Sequence, residues 1–350
     1  MEEKLKMENL EKLKKKNFLV IGSDFYLSLE KSYLRAFKNL KINNVDFFSP
    51  DKKLALKILS RFNNAIIKKI YFLMYRKAVK NFISKGKKYD YIIIFKGLQL
   101  DLAYLNTYKE CQKSAKWINI YTDNPFNLEF ASCSNHEVLN SVKFYDFFCT
   151  SFSKMLNFKL KKLKVKKNIF LPFGYDEYLH RKPNLEKKMN TKNKINFVGA
   201  YDKYRENFLN KLNVRIDVFG PGWHKMKKKN KNINISRGTI DGIKLSKINN
   251  EYAISLNIMR KQDLNSHNMK TFEIPAMNGL LLTRRNAEQN TFFKENVFCY
   301  MYKDYKELRK KIKHILADSF KANIIRKAAH NKVRQFSYEN RLKFLLSNLL

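Results

Sequence analysis

Short apolar runs alternate with longer amphipathic segments in the first half of the chain. The run Phe18–Ile21 meets Gly22-Ser23 and precedes a stripe of apolar residues from Leu29 to Leu40, spaced by 4, 1, 3 and 3. This order predicts a strand followed by a helix. Further strand candidates start at residues 45, 91, 117 and 145, and the run YIIIF at 91 is apolar throughout. Such a run is typical of a strand covered on both faces, so we predict a doubly wound α/β domain.

A polar segment over residues 180–194 interrupts this pattern, after which the same pattern restarts. The stretch INFVGAYDKYRENFLNKL predicts a strand, a glycine turn and a helix, and later runs predict further strands and helices over 268–278 and 304–317. We therefore predict an α/β protein of two successive domains. The predicted parts are a charged extension over 1–16, a first domain over 17–185, a second over 190–335 and a C-terminal helix over 336–350 that packs back on the first domain.

Composition adds a strong positive charge. The 350 residues include 71 Lys and Arg against 31 Asp and Glu, which gives a formal net charge of +40. The excess is mostly Lys and is scattered over the whole length, as expected for solvated faces, so nucleic acid is not the favoured partner. A basic nucleic-acid-binding protein remains an alternative, with KLKKLKVKK and KMKKKNKN as its candidate patches.

Cysteine spacing and hydropathy indicate a protein of the cytoplasm. The four cysteines form no CxxC pair, so neither a zinc site nor a disulfide framework is predicted. The charged N-terminus lacks the apolar region of a secretory signal, and no run approaches the ~18 apolar residues of a membrane span.

One segment nevertheless suggests contact with a membrane surface. Residues Leu56–Ile83 mix isoleucines and aromatic residues with many lysines. Such a segment can lie on an anionic inner leaflet and collect lipid-linked substrates. A buried helix with a basic outer face is the alternative.

Glycines mark the ends of the first strand in each half. Gly22-Ser23 and Gly199-Ala200 lie where a doubly wound sheet binds ligands, so we take the first pair as a candidate acceptor-side loop and Gly199 as a candidate donor contact. Neither position carries the dinucleotide fingerprint or a P-loop, so no classical dinucleotide or nucleoside-triphosphate site is predicted. A tight turn explains each glycine equally well.

The stretch HNMKTFEIPAMNGLLLT carries the most specific candidate chemistry. Lys270 lies in the first turn of the predicted helix, where it can meet a phosphate, and Glu273 lies one turn later, where it can accept hydrogen bonds from the hydroxyls of a ribose. A Lys and a Glu on a solvated helix face would give the same pattern.

Several motifs together resemble one family. They appear in the order LVIGSDFYLSLEKSYLRAFKNL, YDYIIIFKG, WINIYTDNP, IFLPFGYDEYLH, INFVGAYDKYRENFLNKL, DVFGPGWHK, AISLNIMRK and NMKTFEIPAMNGLLLT. From about Asn17 to Leu350 the chain is similar to the CgeB-type spore-maturation glycosyltransferases. These are GT-B enzymes with two Rossmann-like domains facing a central cleft and a glycosyltransferase group 1-like C-terminal domain.

The resemblance implies a function. It implies transfer of a sugar, as in a hexosyltransferase, from a nucleotide-diphosphate sugar on the second domain to a glycan, protein or lipid-linked acceptor on the first. It also implies no cofactor and no metal, because basic side chains neutralise the leaving diphosphate.

The chain departs from the family at two positions. Lys270 stands where relatives usually have Arg, which grips a phosphate with two parallel bonds. If Glu273 is the second glutamate of an E-x7-E motif, Asn265 occupies the first position and carries no charge. The stereochemistry therefore stays open, and a catalytically silent GT-B scaffold is a further alternative.

Five other residues are candidates. Arg205 and Arg260 lie where a diphosphate can be reached. His267 precedes the donor helix and can donate to a phosphate or sugar oxygen, and Trp223 either stacks on a base or packs its loop. Asp123, in the motif TDNP after a strand of the first domain, is the candidate acceptor-side base, although an Asx turn before proline explains it almost as well.

Overall fold

The computed structural model describes residues 11–62, 64–183, 194–227, 230–236, 238–261 and 264–349. The chain divides into two compact units. Unit 1 contains the chain up to Pro172 together with the residues from Tyr338 onward, and unit 2 is Phe173–Ser337. The boundary at Pro172 lies upstream of the predicted linker, of which residues 184–193 lie outside the described residues.

Unit 1 is built on a sheet of six parallel strands in the order β2-β1-β3-β4-β5-β6. Its strands are β1 (Phe18–Ile21), β2 (Val45–Phe48), β3 (Tyr91–Phe95), β4 (Lys116–Tyr121), β5 (Phe147–Thr150) and β6 (Asn168–Phe170). The helices between them are α1 (Leu29–Asn39), α2 (Leu54–Leu59), α3 (Ala65–Ile83), α4 (Leu102–Cys111), α5 (His136–Ser141) and α6 (Asn157–Lys162). The predicted strands at 18, 45, 91, 117 and 145 are confirmed, and β6 was not predicted.

Both faces of the first sheet are covered, as the apolar run YIIIF predicts. Ile92 and Ile94 pack into the cluster under α3, whereas Ile93 and Phe95 point to the other face, as the period of two in a strand requires. On that second face, α1 packs beside the last helix of the chain, Tyr338–Ser347.

Unit 2 repeats the architecture with the strand order β12-β11-β10-β7-β8-β9, again all parallel. Its strands are β7 (Ile195–Val198), β8 (Ile216–Phe219), β9 (Ile233–Ser236), β10 (Ile254–Asn257), β11 (Leu281–Arg284) and β12 (Tyr300–Tyr302). Its helices are α7 (Lys203–Leu212), α8 (Gly242–Glu251), α9 (Lys270–Ala276), α10 (Ala287–Phe292), α11 (Tyr305–Ala317) and α12 (Ser319–Val333); the helix Tyr338–Ser347 in unit 1 is α13. The doubly wound α/β class predicted for both halves is confirmed.

The predicted helix over 268–278 is shorter in the structure. It begins at Lys270 and ends at Ala276. Asn278 then takes a left-handed φ of 58°, and the N–H of Gly279 donates to the carbonyl of Ile274 at 2.8 Å. Asn-Gly therefore ends the helix as the sequence indicates, and the chain turns directly into β11.

The described part of the chain contains no helix that is long and apolar enough to cross a membrane.

Candidate functional site

Lys270 and Glu273 lie at the edge of the second sheet where its parallel strands end. Helix α9 starts in the connection that leaves β10, so its first turn stands at the carboxyl edge, the usual ligand edge of such sheets. The Lys270 ammonium is 3.9 Å from a carboxylate oxygen of Glu273, and the two side chains are 21% and 10% exposed. A solvated helix face does not describe this pair.

His180 completes the surroundings of Glu273. Its Nε2 atom lies 3.6 Å from the other Glu273 oxygen, and its Nδ1 atom accepts a hydrogen bond from the backbone N–H of Asp176 at 3.1 Å. Because Nδ1 is an acceptor, the proton of the neutral ring is on Nε2 and faces Glu273. Sequence reasoning did not single out His180, which ends the motif IFLPFGYDEYLH but lies far from Glu273 along the chain.

Burial lowers the pKa of Lys270. Desolvation is the main cause, the negative charge of Glu273 opposes it, and the positive charge of Arg205 adds to it. A desolvated ammonium beside a second cation is incompletely neutralised by one carboxylate at 3.9 Å. This corner of unit 2 therefore favours an incoming anion.

Arg205 stabilises two loops at the carboxyl edge of the second sheet. The side chain is buried, and its guanidinium donates to the carbonyl of Ile258 at 3.2 and 3.3 Å and to that of Ala200 at 3.1 Å. It thereby ties the loop after β7 to the loop after β10. Its predicted contact with a diphosphate stays a prediction, and its bonds in this structure make it a residue that positions both loops.

The loop after β7 depends on close backbone packing. A Cβ at Gly199 would lie 2.7 Å from the ring of Phe197, and a Cβ at Gly220, where φ is 134°, would overlap the carbonyl of Gly199. Trp223 is buried, and its indole N–H donates to that same carbonyl at 2.8 Å. Of the two roles predicted for Trp223, packing of the loop is the one its contacts match.

His267 is placed differently from the prediction. Its ring is fully buried among Phe173, Phe272 and Phe292; Nδ1 is 2.6 Å from Glu288, and Nε2 accepts the N–H of Phe173 at 3.1 Å. Both ring nitrogens are thus engaged inside the protein. Donation to a phosphate or sugar oxygen does not fit this geometry, because a buried ring with both nitrogens bonded has no donor to offer.

A buried network of amides and hydroxyls fixes the loop before α9, the helix that begins at Lys270. Asn257 and Asn268 exchange two amide hydrogen bonds of 3.1 Å. Gln289 donates a hydrogen bond to Thr283 at 2.9 Å and accepts one from Thr271 at the same distance. Thr271 is the residue that follows Lys270 in the chain. These residues are far apart in sequence, so the alternation of apolar and polar positions could not reveal them.

Arg260 and Asn265 flank the site without being buried in it. Arg260 is exposed just beyond β10, and Asn265 is exposed in the connection to α9. The predicted role of Arg260 at the diphosphate therefore stays a prediction.

The predicted acceptor-side residues of unit 1 form part of a charged cluster. Asp123, after β4, binds the Lys96 ammonium at 2.5 Å, and the N–H of Ser23, after β1, donates to a carboxylate oxygen of Glu30 at 2.8 Å. A Cβ at Gly22 would overlap this carboxylate. Burial raises the pKa of Glu30, and the bond from Ser23 and the charge of Lys96 oppose that rise. Sequence reasoning missed Glu30 and Lys96.

Among the described residues there is no group of three or more His, Cys, Asp or Glu side chains that could hold a metal ion.

Comparison with known proteins identifies the fold. Residues 205–347 match the family model of a glycosyl transferase-like domain, and no curated protein sequence matches the chain. Sucrose-phosphate synthase from Thermosynechococcus elongatus is 12% identical, with a TM-score of 0.70 over 96% of this chain and 98% of that protein. HepE from Anabaena, in complex with UDP and glucose, is 8% identical, with a TM-score of 0.61 over 96% and 100%.

A third similar structure is a longer protein. TarM is 12% identical, with a TM-score of 0.57 over 79% of this chain and 57% of TarM, so the chain spans little more than half of it. At such identities the likeness concerns the fold, and the predicted GT-B fold is confirmed. The predicted glycosyltransferase-like C-terminal part is confirmed for the matched residues.

Proposed function

We propose that the protein is a glycosyltransferase of the CgeB type, in which unit 2 binds a nucleoside-diphosphate sugar. The observation that carries this proposal is Lys270 at the carboxyl edge of the sheet, 3.9 Å from Glu273, whose pKa is lowered by burial and by the charge of Arg205 and raised in part by Glu273. A diphosphate at Lys270 would supply negative charge beside the ammonium and would favour its charged form.

The proposed roles follow from position. Lys270 and the exposed Arg260 contact the diphosphate, and Glu273, oriented by His180, accepts hydrogen bonds from the ribose hydroxyls. Arg205 and Gly199 hold the loops that bring these groups together. The cations stabilise the charge that develops on the leaving diphosphate, so transfer needs no metal and no other cofactor.

Unit 1 supplies the acceptor side in this proposal. Asp123 is the proposed base, and its ion pair with Lys96 keeps the carboxylate in one orientation. Glu30 is a second carboxylate at the same sheet edge, with a raised pKa suited to holding a proton. The acceptor is a glycan, a protein or a lipid-linked sugar, and we propose the cytoplasm as the compartment, with all four cysteines unpaired.

A thermal-shift screen with nucleoside diphosphates and their sugars tests the proposal. UDP and UDP-glucose are the first probes, because HepE is similar in fold and was solved with UDP and glucose. A ligand at about 100 times its Kd should stabilise the protein by about 2.7 kcal/mol. Lys270→Ala should remove most of the shift, whereas Lys310→Ala, which changes an exposed lysine on α11, should preserve it. Absence of a shift with every nucleoside diphosphate, or an equal shift in both variants, would overturn the donor site.

A further inference from the structure

Helices α2 and α3 of unit 1, with the turn between them, expose large apolar side chains to solvent. Six of these side chains are between 42% and 72% exposed: Leu54, Ile58, Phe62, Ile66, Ile70 and Leu73. We call these six residues the α2–α3 apolar surface. A contiguous exposed apolar surface on a folded unit usually marks a site of interaction.

The fold itself does not use this surface. The inner face of α3 packs into the unit 1 core through Tyr71, Tyr75 and Val79. The outer face of α3 presents a stripe of exposed apolar and lysine residues at spacings of three, one, three, four and three: Ile66, Lys69, Ile70, Leu73, Lys77 and Lys80. Helix α3 is therefore apolar on two opposite sides over its first half, and only one of them is needed for the core.

The charge along the segment that carries the surface is basic. From Lys52 to Tyr89 inclusive the sequence contains twelve Lys and Arg residues and no Asp or Glu. Three of them, Lys52, Arg76 and Lys87, pair with aspartates from outside the segment. Lys53, Lys57 and Arg61 stand beside the exposed residues of α2, and Lys69 and Lys77 beside those of α3. A partner for this surface must combine apolar material with dense negative charge.

We propose that the α2–α3 apolar surface binds an anionic phospholipid bilayer. Its Leu, Ile and Phe side chains enter the boundary between head groups and acyl chains, and the neighbouring lysines contact lipid phosphates. The helices lie on the membrane, since no described helix can cross one.

Two other occupants fit less well. A second copy of the chain on this surface would bring two basic surfaces together, and the repulsion between them opposes that contact. Nucleic acid offers phosphates, but it has no apolar layer for exposed Leu54, Ile66 and Ile70, because its bases stack on aromatic rings rather than on aliphatic side chains.

The inference does not depend on the donor site of unit 2. It concerns other residues, and vesicle binding is measured without any nucleotide. If both proposals hold, the unit proposed to receive the acceptor is the unit that contacts the lipid, so a lipid-linked acceptor becomes the preferred class. A negative result with vesicles leaves the donor site intact, and the reverse also holds.

Flotation with vesicles tests the proposal on the full chain. Binding to phosphatidylcholine vesicles is compared with binding to vesicles in which about a third of the lipid is phosphatidylglycerol. The anionic vesicles should bind the protein at least about tenfold more tightly. The double variant Lys69→Gln/Lys77→Gln should lose about tenfold or more, since each lysine near the surface contributes about fivefold. The matched control Lys310→Gln/Lys313→Gln removes two exposed lysines of α11 and should bind like the parent.

The apolar part needs its own variant. Ile66→Ser/Ile70→Ser should lose binding to anionic vesicles by about tenfold or more. The residual binding should still weaken with salt, because the lysines are unchanged. Phe320→Ser/Ile324→Ser changes two similarly exposed apolar residues of α12 and should have no effect. All these side chains are exposed, so the variants should fold like the parent.

A tryptophan at the surface reports insertion directly. The two native tryptophans, Trp117 and Trp223, are buried. In Ile66→Trp, anionic vesicles should shift the emission to shorter wavelength, and lipids brominated in the acyl chains should quench it. The proposal is overturned by equal binding to both vesicle types, by equal loss in the α12 control, or by an unshifted emission. Dimers that disappear in Ile66→Ser/Ile70→Ser would instead identify a second copy as the occupant.

Discussion

Nδ1 of His267 lies 2.6 Å from a carboxylate oxygen of Glu288, inside a cage of aromatic rings. The other ring nitrogen accepts the backbone N–H of Phe173. The ring thus connects the segment that opens unit 2 with the loop before α9 and with α10. His267 therefore has a structural role, because its hydrogen bonds hold the loop that leads to Lys270 in place.

Replacement of this histidine should therefore lower stability. His267→Ala leaves a buried cavity and removes both hydrogen bonds, and we expect a loss of about 2–4 kcal/mol in the free energy of unfolding. Urea denaturation measures it. His224→Ala, at an exposed position of the same unit, should cost less than about 0.5 kcal/mol. Equal stability of the two variants would contradict the architectural role.

The lowered pKa of Lys270 predicts proton uptake on donor binding. Between that lowered pKa and the ordinary value of 10.5, the free lysine is largely neutral. A bound diphosphate should raise the pKa of Lys270, so that the lysine takes up a proton from the buffer. At alkaline pH, where the phosphates are fully ionised, the binding enthalpy should therefore vary with the ionisation enthalpy of the buffer. Calorimetry in two buffers measures the uptake. Lys270→Arg should bind without it, because Arg does not titrate there.

The lowered pKa of Lys270 should also make the stability of the fold depend on pH. Because the folded-state pKa is below the unfolded one, the unfolded chain holds more protons in that window, and stability gains from Lys270 as pH rises through it.

The charge of Glu273 should matter for the nucleoside part of the donor. Glu273→Gln retains the shape but removes the charge, which should cost roughly 1.5–3 kcal/mol for nucleoside and nucleoside diphosphate alike. Lys270→Ala should weaken the diphosphate more than the nucleoside. Titration calorimetry with both ligands separates the two effects. Glu110→Gln, which changes an exposed carboxylate of unit 1, is the control. Unchanged affinities in both site variants would mean that the site is elsewhere.

Chelation tests the metal-free proposal. If Lys270 and Arg260 neutralise the diphosphate, EDTA should leave the rate of sugar transfer within about twofold of the untreated protein. Release of nucleoside diphosphate from a donor sugar measures the rate. Loss of activity with EDTA and its recovery on adding Mn²⁺ would show that an ion supplies the charge.

The contact between the loops after β7 and β8 should not tolerate a side chain at Gly220. A Cβ there meets backbone, at a φ of 134°, whereas Gly238 has a φ of 93° and open space around it. We expect Gly238→Ala to cost about 1–2 kcal/mol through backbone strain alone. Gly220→Ala should cost at least a further ~1–3 kcal/mol from overlap. Chemical denaturation compares them, and equal costs would contradict the close packing.

The sequence predicted the strands that are rich in apolar residues, including β2, which is only partly buried, and it missed two edge strands. Runs such as Tyr91–Phe95 are recognisable because both faces of the strand pack. The edge strands β6 and β9 are short, contain Asn and are only partly buried, so their composition resembles that of loops. Helix α12 was missed because its apolar stripe is weak.

The candidate site was predictable only as far as it is local. Lys270 and Glu273 are three residues apart, so a helix places them together. His180 reaches Glu273 through tertiary folding, and no spacing in the sequence encodes that contact. Glu30 lies only seven residues from its partner Ser23, but the charge of Lys96 reaches it from the end of another strand. The burial that lowers the pKa of Lys270 likewise depends on packing across several strands.

Unit 2 begins and ends at neighbouring points of its own backbone. The N–H of Tyr175 donates to the carbonyl of Phe336 at 3.2 Å, and Tyr175 also pairs with Ser337. Unit 2 is one uninterrupted stretch of the chain, so we expect that it can be expressed alone, or circularly permuted by joining these two ends. Unit 1 cannot be isolated so simply. A fragment that stops at Pro172 loses α13 and uncovers the apolar face that Leu342, Leu345 and Leu346 fill, so expressed alone it should aggregate unless α13 is joined back.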